Sequence, residues 1–207
     1  MSEEATIKGF SIINLDDMLA ELGEDRVKSI LSDFSCPINK DVEEFLHKKA
    51  IEFSLKALSK THLVFCSFKK SVTLIAYFTI ATKFINLGKH SLSTSLRKRV
   101  SKFGTYDKEL KKHIIAAPLI AQLGKNYKYF DNNLITGDEI LKMACEKISE
   151  MQSIGGGKIC YLECESTPKL IEFYTSNGFV SFGCRTLDKD EINASSCRKL
   201  EQMLKYL

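Results

Sequence analysis

The sequence predicts an α/β (α+β) chain in which a central mixed, twisted β-sheet is flanked by helices. Three observations point there. Two apolar runs read as strands: Val72 to Ile80 as a long one, and Ile159 to Cys164 with the composition of a strand covered on both faces. A helix-period stripe runs through Gly137 to Gln152, where Ile140, Leu141, Ala144, Ile148 and Met151 share one face. The segments follow one another as strand, two helices, hairpin, strand, helix, strand, helix, strand.

Each element has a local reason. Lys8 to Leu15 alternates like a first strand, and Asp16 to Phe34 and Asp41 to Lys60 read as helices with Asp16 and Asp41 as N-caps. His62 to Phe68 and Val72 to Ile85 form a hairpin around Lys69-Lys70-Ser71. Gly88 to Lys112 is an extra segment in which Leu92, Leu96, Val100 and Phe103 repeat at helical spacing. The strand His113 to Asn126 leads through YKYFDNNLIT into the helix at Gly137. After the strand at Ile159, Thr167 stands as an N-cap, Pro168 at the first helical position and Gly178 just past the helix end. Phe179, Val180 and Phe182 then begin a strand expected beside the preceding one.

Composition narrows the class. With 207 residues and 44% hydrophobic content the chain can bury the core of one domain, residues 1–207. No apolar run approaches the roughly 18 residues of a membrane span, and the polar, acidic start MSEEATIKG is unlike a signal peptide, so a cytoplasmic protein without a membrane role is expected. Seven cysteines without CxxC spacing argue against both a disulfide framework and a zinc site. His47, His62, His90 and His113 are scattered, and no metal is assigned. The excess of 25 lysines over 5 arginines hints at an AT-rich bacterial or mobile-element source.

Thr167, Pro168, Tyr174, Gly178 and Phe179 fall on the pattern N/D-P-x-x-x-x-x-Y followed by x-x-G-F, and the segment Lys158 to Gly183 resembles the C-terminal half of the GNAT N-acetyltransferase superfamily. The element order matches the GNAT order over nearly the whole chain, with the basic segment 88–112 as an insertion before the cofactor strand. The resemblance implies an N-acetyltransferase that moves an acetyl group from acetyl-CoA, its cosubstrate, to an amine acceptor. Leu123, Gly124 and Lys125 would bind the pantetheine arm by β-augmentation, with Gly124 at a bulge that frees an amide for the thioester carbonyl. The family's pyrophosphate loop, Q/R-x-x-G-x-G/A, overlays Asn132, Asn133, Leu134, Ile135, Thr136 and Gly137, of which only Gly137 matches. Backbone amides and a helix N-terminus make such a loop hold phosphate, while DNNLITGDE equally reads as an ordinary turn and helix cap. Asp138 in the first turn would repel phosphate, leaving Lys125 and Lys128 to offset it. Thr167 stands where the family often has an Asn that touches the coenzyme.

Tyr174 is the implied general acid for the departing thiolate. A phenol near pKa 10 facing a thiol near 8.5 makes full proton transfer uphill by roughly 2 kcal/mol, so a hydrogen-bonding role stands beside the acid role. Glu163 at the strand end is the first candidate base and Glu165 the second, both on one face with Tyr161. The insertion carries eight basic residues against two acidic ones, a net +6 in a chain of net +4. A solvated helix accounts for that charge, and so does attraction of a polyanion such as RNA through Arg97 to Lys112. Expected partners are therefore an amine-bearing acceptor (small molecule, peptide or RNA-linked), with nucleic acid and a homodimer left open. A GNAT-like acyl-CoA-binding module with weak or lost catalysis, and an RNA-associated acetyltransferase, are the alternatives.

Overall fold

The computed structural model describes residues 9–68, 71–88, 91–128, 134–187 and 199–207. Two compact units divide the chain, Met1–Thr79 with Gln122–Leu141, and Ile80–Ala121 with Lys142–Leu207.

In the first unit β1 (Phe10–Asn14) pairs antiparallel with β2 (Lys60–Phe68), from Phe10 opposite Cys66 to Asn14 opposite His62. The strand stops because Asn14 turns to cap α1 (Leu15–Leu22), its Oδ1 accepting the Asp16 N–H at 3.0 Å. The single helix expected from Asp16 to Phe34 is two helices. Gly23, at φ 76, ends α1 and starts α2 (Glu24–Leu31), a conformation that glycine adopts without a Cβ penalty. Asn39, not Asp41, caps α3 (Lys40–Glu44), and both Asp16 and Asp41 sit within the first turn of their helices, where the helix dipole favours them.

The helix then loosens into a π-turn at Phe45–Lys49 before α4 (Ala50–Leu55), and Lys60 belongs to β2 instead of the helix. The Val42 carbonyl, one turn upstream, accepts the hydroxyl of fully buried Tyr77 at 2.5 Å. A bond from outside the helix of this kind is a recognised cause of a local break in the i→i−4 ladder. Leu15, Val27, Leu31, Phe34, Leu46, Leu63 and Tyr77 form the core of this unit. Tyr77 and Phe34 meet edge to face at 5.1 Å.

Asn126 is 1% exposed and uses its whole side-chain amide. Oδ1 accepts the N–H groups of Ser35 (3.0 Å) and Lys128 (2.9 Å), while Nδ2 donates to the carbonyls of Asp33 (3.0 Å) and Leu74 (2.8 Å). Its own N–H reaches the Ile75 carbonyl, and that of Tyr127 reaches Ser35. Glu43 braces the same loop by accepting the Cys36 N–H at 2.6 Å and the Ser35 hydroxyl at 3.0 Å. The Cys36 N–H above all holds the Glu43 carboxyl below its usual range.

The second unit takes up the latter part of β3 (Ser71–Gly88) and the insertion. There the expected helix is short: α5 (Thr94–Val100), capped by the Ser93 hydroxyl, gives way to a 3₁₀ turn (Ser101–Phe103) and a strand, β4 (Gly104–Asp107), paired antiparallel with β5 (Lys112–Lys125). Gly104 permits this because a Cβ there would lie 2.4 Å from Ile115 Cγ1 and 2.6 Å from the Ile114 carbonyl oxygen. The helix α6 (Gly137–Gly155) buries Ile140, Leu141, Ala144 and Ile148 as expected but leaves Met151 exposed.

Beyond it β6 (Ile159–Glu165), α7 (Pro168–Ser176) and β7 (Val180–Thr186) follow. β6 runs parallel to β5, with Leu119 opposite Tyr161 and Ile120 opposite Leu162, so the sheet is mixed. β7 does not lie beside β6. A further strand, β8 (Lys199–Tyr206), pairs antiparallel with both and separates them, in the order β5, β6, β8, β7. Sequence reading missed β8 because KLEQMLKY lacks the period-two alternation of a half-buried strand. Ile85, Val100, Ile115, Tyr161, Phe182 and Leu204 centre this unit's core, and Leu92 and Leu96 pack on it from the insertion. Among the described residues no helix is long and apolar enough to cross a membrane.

Replacing Asn126 by Ala removes the bonds to two carbonyls and two backbone N–H groups, of which the buried Leu74 carbonyl loses most, at about 1–3 kcal/mol for each buried group left unpaired. Asn126→Ala is expected to lower the unfolding free energy by about 3 kcal/mol or more in urea denaturation, and a loss below about 1 kcal/mol would refute the assignment.

Candidate functional site

The helix α7 begins at Thr167, whose φ of −96 and ψ of 141 are those of an N-cap. Its carbonyl accepts the Ile171 N–H at 3.0 Å, but its hydroxyl makes no capping bond. Pro168 takes the first helical position, where no amide hydrogen is needed. At the other end Gly178, at φ 82, reverses the chain, and the Phe179 N–H returns to the Tyr174 carbonyl at 3.0 Å. That reversal drives Phe179 into the core at 1% exposure and sets Tyr174 between two rings, Phe173 at 4.9 Å and Phe179 at 6.0 Å, both edge-on.

Tyr174 is half-buried, and burial first, then the neighbouring Cys164 thiol, push its phenol well above the ordinary tyrosine value. Cys164 itself is pushed up by burial to about 11. A phenol raised in this way keeps its proton at any working pH. It gives up that proton to a thiolate even less readily than a free phenol does, so hydrogen-bond donation suits it better than full proton transfer.

The carboxylate expected to serve as base is engaged. Arg185 grips Glu163 at both oxygens, Nε at 3.1 and 3.0 Å and Nη2 at 2.7 Å, and Gln202 Nε2 adds a bond of 2.8 Å. Glu163 is only 13% exposed at its side chain and Arg185 29%. The three residues come from β6, β7 and β8, so the clamp also fastens the three strands together. A carboxylate with this many donors has little lone-pair capacity left for a substrate proton. Glu165 uses its carbonyl to accept the Thr167 N–H at 2.8 Å.

In the first unit the expected pyrophosphate loop is partly in view. Asn132 and Asn133 lie outside the described residues. Leu134 is half-buried, Ile135 fully buried, and Thr136 exposed ahead of Gly137. Thr136 and Glu139 close a reciprocal capping box: Glu139 Oε2 accepts the Thr136 N–H (2.7 Å) and hydroxyl (2.9 Å), and the Glu139 N–H returns to Thr136 Oγ1 (3.2 Å). A carboxylate thus occupies one of the amides that a diphosphate would seek. Lys128 pairs with Asp33, and the Lys125 ammonium lies 5.6 Å from the centroid of the Tyr127 ring. Leu123 is half-buried in β5. Gly124 is there for space, since a Cβ would come within 2.6 Å of Tyr77 Cε1 and of Val42 Cγ1 and 3.0 Å of Phe34 Cζ.

Three features lay outside the sequence reading. Glu139 was visible as T-x-x-E ahead of an apolar stripe. Arg185 and Gln202 carried no local signal, because their meeting with Glu163 depends on the position of β8. The third is a depression of about 720 Å³ along α7, lined by Ser166, Pro168, Ile171, Glu172, Thr175 and Ser176.

No family model matches the chain, and no curated protein matches it. Solved structures do. A bacterial toxin superposes with a TM-score of 0.61 at 16% identity, over 97% of this chain and 92% of that one. AtaT complexed with acetyl-methionyl-tRNAfMet gives 0.61 at 13% identity, over 93% and 94% of the two chains. AtaTR bound with AcCoA gives 0.53 at 14% identity, over 93% and 91%. The chain has the GNAT fold. Within that fold α7 is the helix to which the motif residues Thr167, Pro168 and Tyr174 belong, and β8 is the strand that the fold inserts beside β6.

Arg185→Leu strands the Glu163 carboxylate in a mostly covered position, a loss between those of exposed and fully buried pairs, about 2 kcal/mol. Urea denaturation should show that loss, and the double variant Arg185→Leu/Glu163→Gln should be more stable than the sum of the single losses. Strict additivity would mean that the clamp contributes no coupling.

Proposed function

We propose that this chain is an acetyl-CoA-dependent N-acetyltransferase. The observation that carries the reading is α7, the helix between Thr167 and Gly178 that seats Tyr174 between the Phe173 and Phe179 rings within a GNAT fold. AtaTR, which shares the fold, is seen bound with AcCoA, which supports acetyl-CoA as the cosubstrate.

In the proposed reaction the acceptor nitrogen attacks the thioester carbonyl carbon. The oxyanion that forms accepts a backbone N–H from the segment Leu123, Gly124, Lys125, and the carbon–sulfur bond then breaks. Tyr174 donates its hydrogen bond to the departing thiolate, and the thiolate leaves as the thiol once it takes up a proton. The acceptor nitrogen loses its own proton to water or to Glu165. Glu163, gripped by Arg185 and Gln202, is assigned to holding β6, β7 and β8 in register, with proton removal falling elsewhere. Thr167 has a hydroxyl unused by its own cap and is assigned to the coenzyme arm. Leu134, Thr136 and Gly137, with Asn132 and Asn133, are assigned to the diphosphate, with Ile135 anchoring the loop from the core.

The acceptor we favour is an amine carried on RNA, before a small molecule or a peptide. AtaT, of the same fold, is seen complexed with acetyl-methionyl-tRNAfMet, and here the +6 insertion supplies attraction for a polyanion. The proposed setting is cytoplasmic, in a bacterial or mobile-element host, with a homodimer as the assembly to test. A second reading, a coenzyme-binding module with weak catalysis, draws support from the capping box that already fills the Thr136 amide.

Calorimetric titration with acetyl-CoA decides first: the absence of binding at millimolar coenzyme would sink the enzyme reading. Given binding, Tyr174→Phe is expected to lower turnover about tenfold or more while coenzyme affinity stays put, and unchanged turnover would remove Tyr174 from the reaction. Glu139→Gln keeps the capping geometry but removes a negative charge from the first turn of α6. The expected result is acetyl-CoA affinity tighter by about two- to fivefold with little change in melting temperature; equal affinity would show that the loop does not meet the diphosphate.

A further inference from the structure

The insertion does not end as the solvated helix its periodicity implies. Its second half is a β-hairpin, β4 and the start of β5, whose tip is tightly specified. Asp107 Oδ1 accepts the N–H groups of Glu109 (2.9 Å) and Leu110 (2.8 Å), and Lys111 takes a left-handed φ of 52. One of the segment's two carboxylates is thereby turned into the turn itself. Lys102, Lys108, Lys111 and Lys112 are exposed, and none pairs with a described carboxylate within salt-bridge distance.

The same hairpin carries Tyr106, 52% exposed, directly across the ladder from His113. The two rings meet edge-on at 5.2 Å. The contact fixes the tyrosine ring from one side and leaves much of it open to solvent. Phe103, 37% exposed, precedes it in the 3₁₀ turn. Tyr106 lies on the face of β4 and β5 that continues from Ile115 into the core, so the hairpin is anchored, and an ordered aromatic there has no packing need to be so exposed. Arg99 has a different task, its guanidinium stacked 3.9 Å from the centroid of Tyr206.

An exposed, pre-set aromatic ring in a hairpin that also carries unpaired ammonium groups is a combination suited to single-stranded nucleic acid, bases stacking on the ring while phosphates meet the lysines. We infer that the hairpin Gly104–Ile115 is a docking surface for unpaired RNA bases, with Tyr106 as the stacking platform and Lys108, Lys111 and Lys112 as phosphate contacts. Apolar content at the tip is limited to Leu110, which is little for insertion into a bilayer, and the observations therefore favour RNA over an anionic lipid surface. Along β5 the hairpin lies about 23 Å from the level at which Ile120 faces Leu162, a span of a few nucleotides. Such a surface would hold a chain whose end lies elsewhere on the protein. This inference deepens the reading of an RNA-carried acceptor and rests on it for its purpose, but RNA binding is measured without coenzyme.

The test is fluorescence anisotropy of the full chain with a labelled twelve-nucleotide single-stranded RNA over a range of KCl concentrations, with the duplex of the same strand and vesicles containing phosphatidylserine as competitors. Expected are binding that weakens with salt, and a log–log slope less steep by about 2 in Lys108→Gln/Lys111→Gln/Lys112→Gln. Tyr106→Ala should lose about fivefold to a hundredfold in affinity, and Tyr106→Phe should bind like the original chain. Equal affinity of Tyr106→Ala and the original chain, duplex competing as well as single strand, or vesicles displacing the RNA more effectively than unlabelled RNA would each overturn it. Acetyl-CoA titration of the same variants separates the two claims: retained coenzyme binding with lost RNA binding supports the surface, whereas coenzyme binding absent from all chains, the original included, with RNA binding intact defeats the enzyme reading alone.

Discussion

The first unit depends on one saturated amide. Asn126 offers two donors and two acceptor sites, and all four are met by backbone groups: Ser35 and Lys128 on one side, Asp33 and Leu74 on the other. The loop between α2 and α3 has no secondary structure of its own to pair its amides, so this side chain and that of Glu43 substitute for a strand. The same bonds fix where β5 ends. Everything the chain does after Lys125, including the approach to α6, starts from that point. A hydrophobic residue would fill the space but leave the loop's backbone groups dry and unpaired, which is why a polar residue is buried to 1% here.

The second unit uses charge for a related purpose. The Arg185, Glu163, Gln202 clamp ties three neighbouring strands at one level, and each Glu163 oxygen receives at least two donors. Fixing a carboxylate so thoroughly trades away its freedom as a base. Tyr174 shows the same trade in neutral form, since the surroundings that hold its ring also hold its proton. Both side chains are thereby held in one arrangement by their neighbours.

Legibility in the sequence followed locality. The caps of α7 were visible because Thr167, Pro168 and Gly178 act within a few residues of themselves, and the fold came from the order of such local signals. Boundaries failed where a tertiary contact overrode the pattern. Gly23 is a different case, a local left-handed break within a helix that the apolar stripe alone would continue. The switch from helix to hairpin inside the insertion was hidden because Leu92, Leu96 and Val100 keep helical spacing right up to the turn that Gly104 makes possible. In the candidate site Tyr174 was legible from its motif, whereas the engagement of Glu163 was not, since both partners arrive from strands whose order only the folded chain reveals.

That strand order has a temporal side. β6 and β7 are consecutive strands in the sequence yet meet only through β8, which is made after both. Until Lys199–Tyr206 has emerged, β6 lacks one neighbour and the inner edge of β7 is unpaired, so its backbone groups stand open to any competing strand. The first unit gathers β1, β2 and its helices from residues made early and can condense ahead of that moment. β8 thus acts as a latch: the Gln202 side chain that completes the clamp on Glu163 arrives only with that strand, after β6 and β7 have already been made.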